Sequence, residues 1–291
     1  MNFLRFRIFY FSLSLLFLVP GIFFLLKFGL RPSIDFVGGS LLEVRLSQPA
    51  ELTSDTLAPL LPEGYDINTL QPSGEMQYQL KGSEITNDQK DQLVQALQNN
   101  FGPVEVLRFD TIGPTLSAEL LKKTLSAVLL VSGLITLYVW YRFRDLKYGV
   151  CATLAMFHDS LILIGSFSIL GYFLGAEVDV LFVTALLTTL SFSVHDTIVV
   201  YDRIRELTHK HPRHNYSVIL NAAITETLAR SINNSLTIIL MLFSLALLGG
   251  ETVRWFSIAL LIGAITGTYS STFTAVPLLS LWDEIEKRKK K

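Results

Sequence analysis

Six separate stretches of this 291-residue chain are apolar and long enough to cross a lipid bilayer, and no other feature restricts its fold as strongly. A helix needs about 17 to 25 apolar residues to traverse the hydrocarbon. The runs at 8–28, 124–141, 149–174, 180–201, 231–248 and 255–281 meet that length. Lipid offers no partner to a bare N–H or C=O, so each run must close its hydrogen bonds internally as a helix. Composition agrees, with 50% hydrophobic and only 17% charged residues. The formal net charge of −1 leaves no global basic field to draw the chain onto nucleic acid. Cys151 is the single cysteine, so neither a disulfide framework nor a thiolate metal cluster can be built. The chain has no GxxxxGK[ST] loop and no HExxH helix, so we expect no catalytic site, no cofactor and no metal.

The first run follows Arg5 and Arg7 as a secretory signal would, but it is longer than a signal core and no A-x-A-like cleavage site follows it, so it reads as a retained anchor. Lys and Arg gather on the cytoplasmic side of membrane helices. Arg5 and Arg7, then Arg142, Arg144 and Lys147, then Arg203, Arg205, Lys210 and Arg213, and finally the EKRKKK tail all fall on one side if both termini are cytoplasmic. The short loops 175–179 and 249–254 on the other side hold only Arg254.

Segment 31–120 then lies outside the cytoplasm. Five basic residues (Arg31, Arg45, Lys81, Lys90, Arg108) against thirteen acidic ones make its formal charge −8. Alternation over 41–46, 65–71, 77–81 and 104–109 predicts strands, and 53–61 and 85–102 predict helices, the second closed by Gly102 and Pro103. The order βαββαβ suggests a small ferredoxin-like α+β domain. The expected layout is a polytopic α-helical membrane protein: 1–30 as the cytoplasmic N-terminal end and first helix, 31–120 as the extracytoplasmic domain, 121–282 as a five-helix bundle, and 283–291 as a basic cytoplasmic tail.

An ionisable side chain near a bilayer centre costs about 2.5–3.5 kcal/mol on insertion scales, so each one is a functional hypothesis. His158, Asp159, His195, Asp196 and Arg230 raise it here. Asp196, near the end of the fourth helix, and Arg230, near the start of the fifth, occupy the same half of the membrane and are placed to meet. They form either a static ion pair or a proton relay, in which protonation of the carboxylate frees the guanidinium to move; the relay is the favoured reading. His158 and Asp159 are either relay members or polar residues of the bundle interior bonded to Ser or Asn neighbours. His195 points elsewhere if Asp196 faces inward, because adjacent helical residues differ by about 100° in direction. For the same reason the two His-Asp pairs are not metal sites. Asn233 and Asn234 stand a turn beyond Arg230 and extend its polar contacts. Gly263 and Gly267 form a GxxxG pair that permits close helix contact.

Five blocks carry a specific resemblance: IDFVGGSLLEVRL after the first helix, DTIGPTLSAELLKK before the second, WYRFRDLKYGVCATLAMFHDSLILIG, SFSVHDTIVVYDRIRE, and LARSINNSLTIILMLFSLALLGG. In this order, over nearly the whole chain, they resemble the signature segments of the SecD/SecF family of bacterial protein-translocase accessory subunits. The layout is similar to half of a resistance-nodulation-division transporter. The resemblance implies an accessory of Sec protein export in the bacterial inner membrane, using the proton-motive force to help preproteins leave on the outer side. It implies as partners a SecD-like subunit, the SecYEG channel, unfolded preprotein and protons. It places proton coupling at Asp196 and Arg230 and marks Gly38 and Gly39 as motif glycines, here in VGGS where many relatives have TGGT. Fused relatives have twelve helices, so six predict that a separate SecD-like chain completes the proton path. The competing functions are a proton-driven exporter of lipids or small molecules and a purely structural assembly subunit.

Overall fold

The computed structural model describes residues 3–48, 52–62, 64–74 and 76–289. The chain divides into two compact units, Pro32–Leu125 and Met1–Arg31 with Ser126–Lys291. The elements in chain order are α1 (Arg7–Phe28), α2 (Ile34–Val37), β1 (Gly39–Leu46), α3 (Ser54–Leu57), β2 (Ile67–Gly74), β3 (Gln77–Gly82), α4 (Asn87–Phe101), β4 (Val104–Ile112), α5 (Pro114–Phe143), α6 (Leu146–Leu174), α7 (Val180–Lys210), α8 (Tyr216–Leu248), α9 (Glu251–Phe273) and α10 (Ala275–Lys289).

The smaller unit is a four-stranded antiparallel sheet in the order β2-β3-β1-β4. Leu42 and Val44 of the central strand, Leu80 of β3 and Leu93 and Leu97 of α4 are fully buried together. The sequence sets α4 at both ends. Thr86 and Gln89 form a reciprocal capping box at its start, and Gly102 takes a φ of 82° at its end. The helix expected over 53–61 is shorter than its pattern. Four residues of α3 pass into a 3-10 turn at Ala58–Leu60, because Pro59 and Pro62 cannot donate to a continuing α-helix. The strand expected from Tyr65 begins at Ile67. Tyr65 itself plugs the core at 3% exposure. Pro72 lies in β2, where an edge position spares it a ladder bond on its outer side.

Gly38 and Gly39 sit where the chain enters β1. Both have left-handed φ, 80° and 119°. A Cβ on Gly39 would lie 2.3 Å from the carbonyl oxygen of Gly82. The glycine pair thus lets β1 pass between β3 and β4 from its first residue, with Gly39 opposite Ile112 and Ser40 opposite Gly82.

The larger unit contains helices long and apolar enough to cross a membrane, six spans in all being found among the described residues. Each extends beyond its apolar run. The fourth and fifth spans reach Lys210 and start at Tyr216, so the polar segment between them is a short turn rather than a long loop. The last run is not one helix but two, α9 and α10. The break falls at Thr274, because Pro277 has no N–H for the carbonyl of Phe273 and its ring crowds that carbonyl. The central helices are α6 and α7, whose buried faces carry Met156, Leu163, Tyr201 and Ile204. Packing is close where glycine removes the side chain. A Cβ on Gly165 of α6 would lie 2.7 Å from Cα of Gly21 of α1, and one on Gly263 of α9 would lie 2.0 Å from Oγ1 of Thr189 of α7. Gly263 and Gly267 therefore work as the GxxxG spacing predicts, with α7 as the helix they receive.

Candidate functional site

The buried face of α7 is polar over more than two turns. Ser193 follows Thr189 by four residues and is followed by Asp196 and Thr197 at three and four, which sets them on one side of the helix, and none of the four is more than 3% exposed. His195 is exposed, as the turn of one residue requires. One oxygen of the Asp196 carboxylate, Oδ2, is buried with no hydrogen-bond partner among the described residues.

His158 and Asp159 are both buried on α6. Oδ2 of Asp159 accepts hydrogen bonds from Ser193 Oγ of α7 and Ser270 Oγ of α9, each 2.5 Å long. Oδ1 of Asp159 lies 2.9 Å from Nδ1 of His158, whose Nε2 is buried without a partner among the described residues. One carboxylate therefore ties three helices together. Charge-assisted hydrogen bonds of this kind are about twice as strong as neutral ones. The two serines were not among the expected site residues. Ser193 is marked in the sequence only by its position one turn before Asp196, and Ser270, 111 positions from Asp159, by nothing local.

Arg230 is exposed on α8, as are Asn233 and Asn234, while Thr227 and Ser231 take the buried face. The meeting of Asp196 with Arg230 is not found in this structure: among the described residues no ion pair joins them. The physical reason is orientation, since Asp196 faces into the bundle and Arg230 stands off the inward face of its helix. Arg230 instead lines a groove of about 400 Å³ with Val199, Asp202, Arg203, Glu206, Glu226 and Thr227. Within it Arg203 donates to both Glu206 and Glu226, and Asp202 receives Arg142 of α5 at 2.8 Å.

Residues 92–285 match the family model described as protein export membrane protein SecD/SecF, C-terminal, and residues 23–50 match the SecD/SecF GG motif. The chain belongs to the SecD/SecF family. The matched GG segment contains the adjacent glycines Gly38 and Gly39. The chain is 40% identical to protein translocase subunit SecF of Thermobaculum terrenum, over 96% of its own length and 93% of that relative. It is 39% identical to the SecF subunit of Anaerolinea thermophila, over 99% of its length and 96% of that chain. Among solved structures it is similar to SecDF from Thermus thermophilus, titled a translocon-associated membrane protein, with a TM-score of 0.87 and 30% identity. That likeness covers 98% of this chain and 39% of SecDF, so the chain spans about two fifths of the larger protein. Family membership makes the chain a multi-pass membrane protein and an accessory subunit of Sec protein export. A lipid or small-molecule exporter is not favoured by these likenesses.

Proposed function

We propose that this chain works with a SecD-like subunit in the bacterial inner membrane, beside the SecYEG channel, and couples proton entry to release of unfolded preprotein on the outer side. Both termini are then cytoplasmic and the sheet unit is extracytoplasmic, as the distribution of Lys and Arg favours. The role is mechanical, with no covalent chemistry assigned to the chain. The observation that carries the reading is the Asp196 carboxylate, buried in a membrane helix with one oxygen unpartnered. A buried ionised carboxylate is costly without a partner. Uptake of a proton removes that cost, and its release restores a charge that needs a cation.

Arg230 supports the reading from the other side. Among the described residues it has no ion pair, and it lines a groove made by residues of α7 and α8. When Asp196 loses its proton, the guanidinium turns inward to meet it; when Asp196 is protonated, Arg230 returns to the groove seen here. Each change alters how α7 and α8 pack. Moving one charge through 100 mV yields about 2.3 kcal/mol, enough to shift a two-state bundle about fiftyfold. One proton thus biases an orientation, and many cycles accompany each exported chain. The test is export into inverted membrane vesicles with and without a proton-motive force. Asp196→Asn, which keeps size and hydrogen bonding, should abolish the stimulation while insertion and partner association persist; normal stimulation would refute the coupling.

A further inference from the structure

The polar face of α7 does not end at Asp196. One turn away stands Ser193, and beyond it Thr189, whose Oγ1 is buried without a partner among the described residues. Asp159 meets this stripe at Ser193, near the middle of α6 and about 20 Å of helical rise from either end. A carboxylate at that depth is expensive to hold. Among the described residues its hydrogen-bond partners are His158 on its own helix, Ser193 from α7 and Ser270 from α9. The approach of α9 is made possible by glycine, since a Cβ on Gly267 would lie 3.2 Å from Cα of Ser193. Two buried carboxylates and a buried imidazole thus share one membrane interior, and the Ser193 hydroxyl, bonded to one carboxylate, belongs to a residue one helical turn from the one that carries the other.

We propose that Asp159 is a second proton-carrying residue, exchanging its proton with Asp196 through the hydroxyl of Ser193. This rests on the reading of Asp196 as the proton-coupling carboxylate. In the transfer, the O–H bond of protonated Asp196 breaks as its proton moves to Ser193 Oγ, while the hydroxyl proton of Ser193 passes to Oδ2 of Asp159. Asp196 is left as a carboxylate, Ser193 as a neutral hydroxyl and Asp159 as the neutral acid. The second leg already has hydrogen-bond geometry, at 2.5 Å. The first spans one helical turn, about 4.5 Å of rise, which a rotamer change of Asp196 or one bridging water closes. His158, with Nδ1 at 2.9 Å from Oδ1 of Asp159, is the next station: once the carboxyl group turns to bring its protonated oxygen to the imidazole, Nδ1 accepts that proton and Nε2 releases its own. Ser270 holds Oδ2 of the ionised carboxylate between transfers.

The experiment measures proton uptake with a pH-sensitive dye, together with stimulated export, in inverted vesicles containing the full chain and its SecD-like partner. Asp159→Asn should lower both by at least about tenfold, and Asp159→Glu should restore part of the uptake with a displaced pH profile. Ser193→Ala removes the bond to α7 but leaves Asp159 bonded to Ser270 and His158, so the tie between α6 and α9 survives. It should still cut uptake severalfold, and Ser193→Thr should restore it. Normal uptake in Ser193→Ala overturns the proposal even if Asp159→Asn fails to assemble, because Asp159 is then a static tie. Normal uptake in Asp159→Asn with none in Asp196→Asn overturns the proposal alone. Full uptake in Asp196→Asn overturns the reading beneath it as well.

Discussion

Ser193 and Asp196 share the buried face of α7, and across the bundle Ser193 has a carboxylate partner on another helix while Oδ2 of Asp196 has none. The serine anchors the helix and the aspartate is left able to change. A helix tied at one turn and uncommitted at the next is suited to pivot, and the tie point lies where α6, α7 and α9 meet.

Arg230→Lys should impair proton-motive-force stimulation almost as much as Arg230→Ala. A lysine supplies one point charge on a flexible stem, whereas the proposed exchange between groove and Asp196 uses a planar fork able to grip a carboxylate through two hydrogen bonds. Rates of preprotein protection in energised vesicles would show it. Wild-type stimulation in Arg230→Lys would reduce the requirement to charge alone.

Gly263→Ala should destabilise the helical unit by about 1–3 kcal/mol, the usual cost of overpacking. The added methyl would fall 2.0 Å from Oγ1 of Thr189 and 2.6 Å from its Cγ2, inside contact distance of both. Adding Thr189→Ala removes the two nearest atoms it strikes but keeps Cβ, at 2.8 Å, and should recover part of the loss. Thermal unfolding of the detergent-solubilised chain, read as a double-mutant cycle, checks the pair; additive effects would argue against this contact.

Gly39→Ala should be worse than a typical exposed substitution, because it combines two penalties. The backbone φ of 119° is strained for any side chain, and the new Cβ would meet the Gly82 carbonyl oxygen at 2.3 Å. A loss of about 2–4 kcal/mol is expected, visible as early proteolysis of the sheet unit in the full chain. Gly29→Ala is a useful control: its φ is 73°, but its Cβ would have nothing within 4 Å.

Burial pushes the Tyr65 hydroxyl from the usual 10.0 up to about 12, and among the described residues that hydroxyl has no hydrogen-bond partner. Between those two values the unfolded chain has released its phenol proton while the folded one keeps it. The unfolded state then binds fewer protons, so stability present below pH 10 falls as pH rises toward 12. Tyr65→Phe should remove this component of alkaline destabilisation. At neutral pH it should leave stability unchanged or raise it by about 1 kcal/mol, since no bond is broken and a buried orphan hydroxyl is lost. Urea unfolding of both chains at neutral and alkaline pH is the measurement, and a marked loss in the phenylalanine variant at neutral pH would reveal a partner for the hydroxyl.

The spans, the Gly102 stop of α4 and the suspicious residues Asp159, Asp196 and Arg230 were legible in the sequence, because each depends on short-range chemistry. Lipid demands a length of apolar chain, a helix end takes a glycine, and a charge inside a long apolar run stands out wherever the helix goes. Helix ends were less legible. The polar turns that carry α7 to Lys210 and start α8 at Tyr216 are held by packing beyond the apolar run, and the break before α10 comes from a single proline. What only the tertiary structure decided is who meets whom. Two serines, ordinary in any helix, became the partners of Asp159 because glycines let α9 close on α7. Arg230, which the sequence placed at the right depth for Asp196, stands away from it because depth is set by counting residues, whereas direction is set by how each helix is rotated against its neighbours.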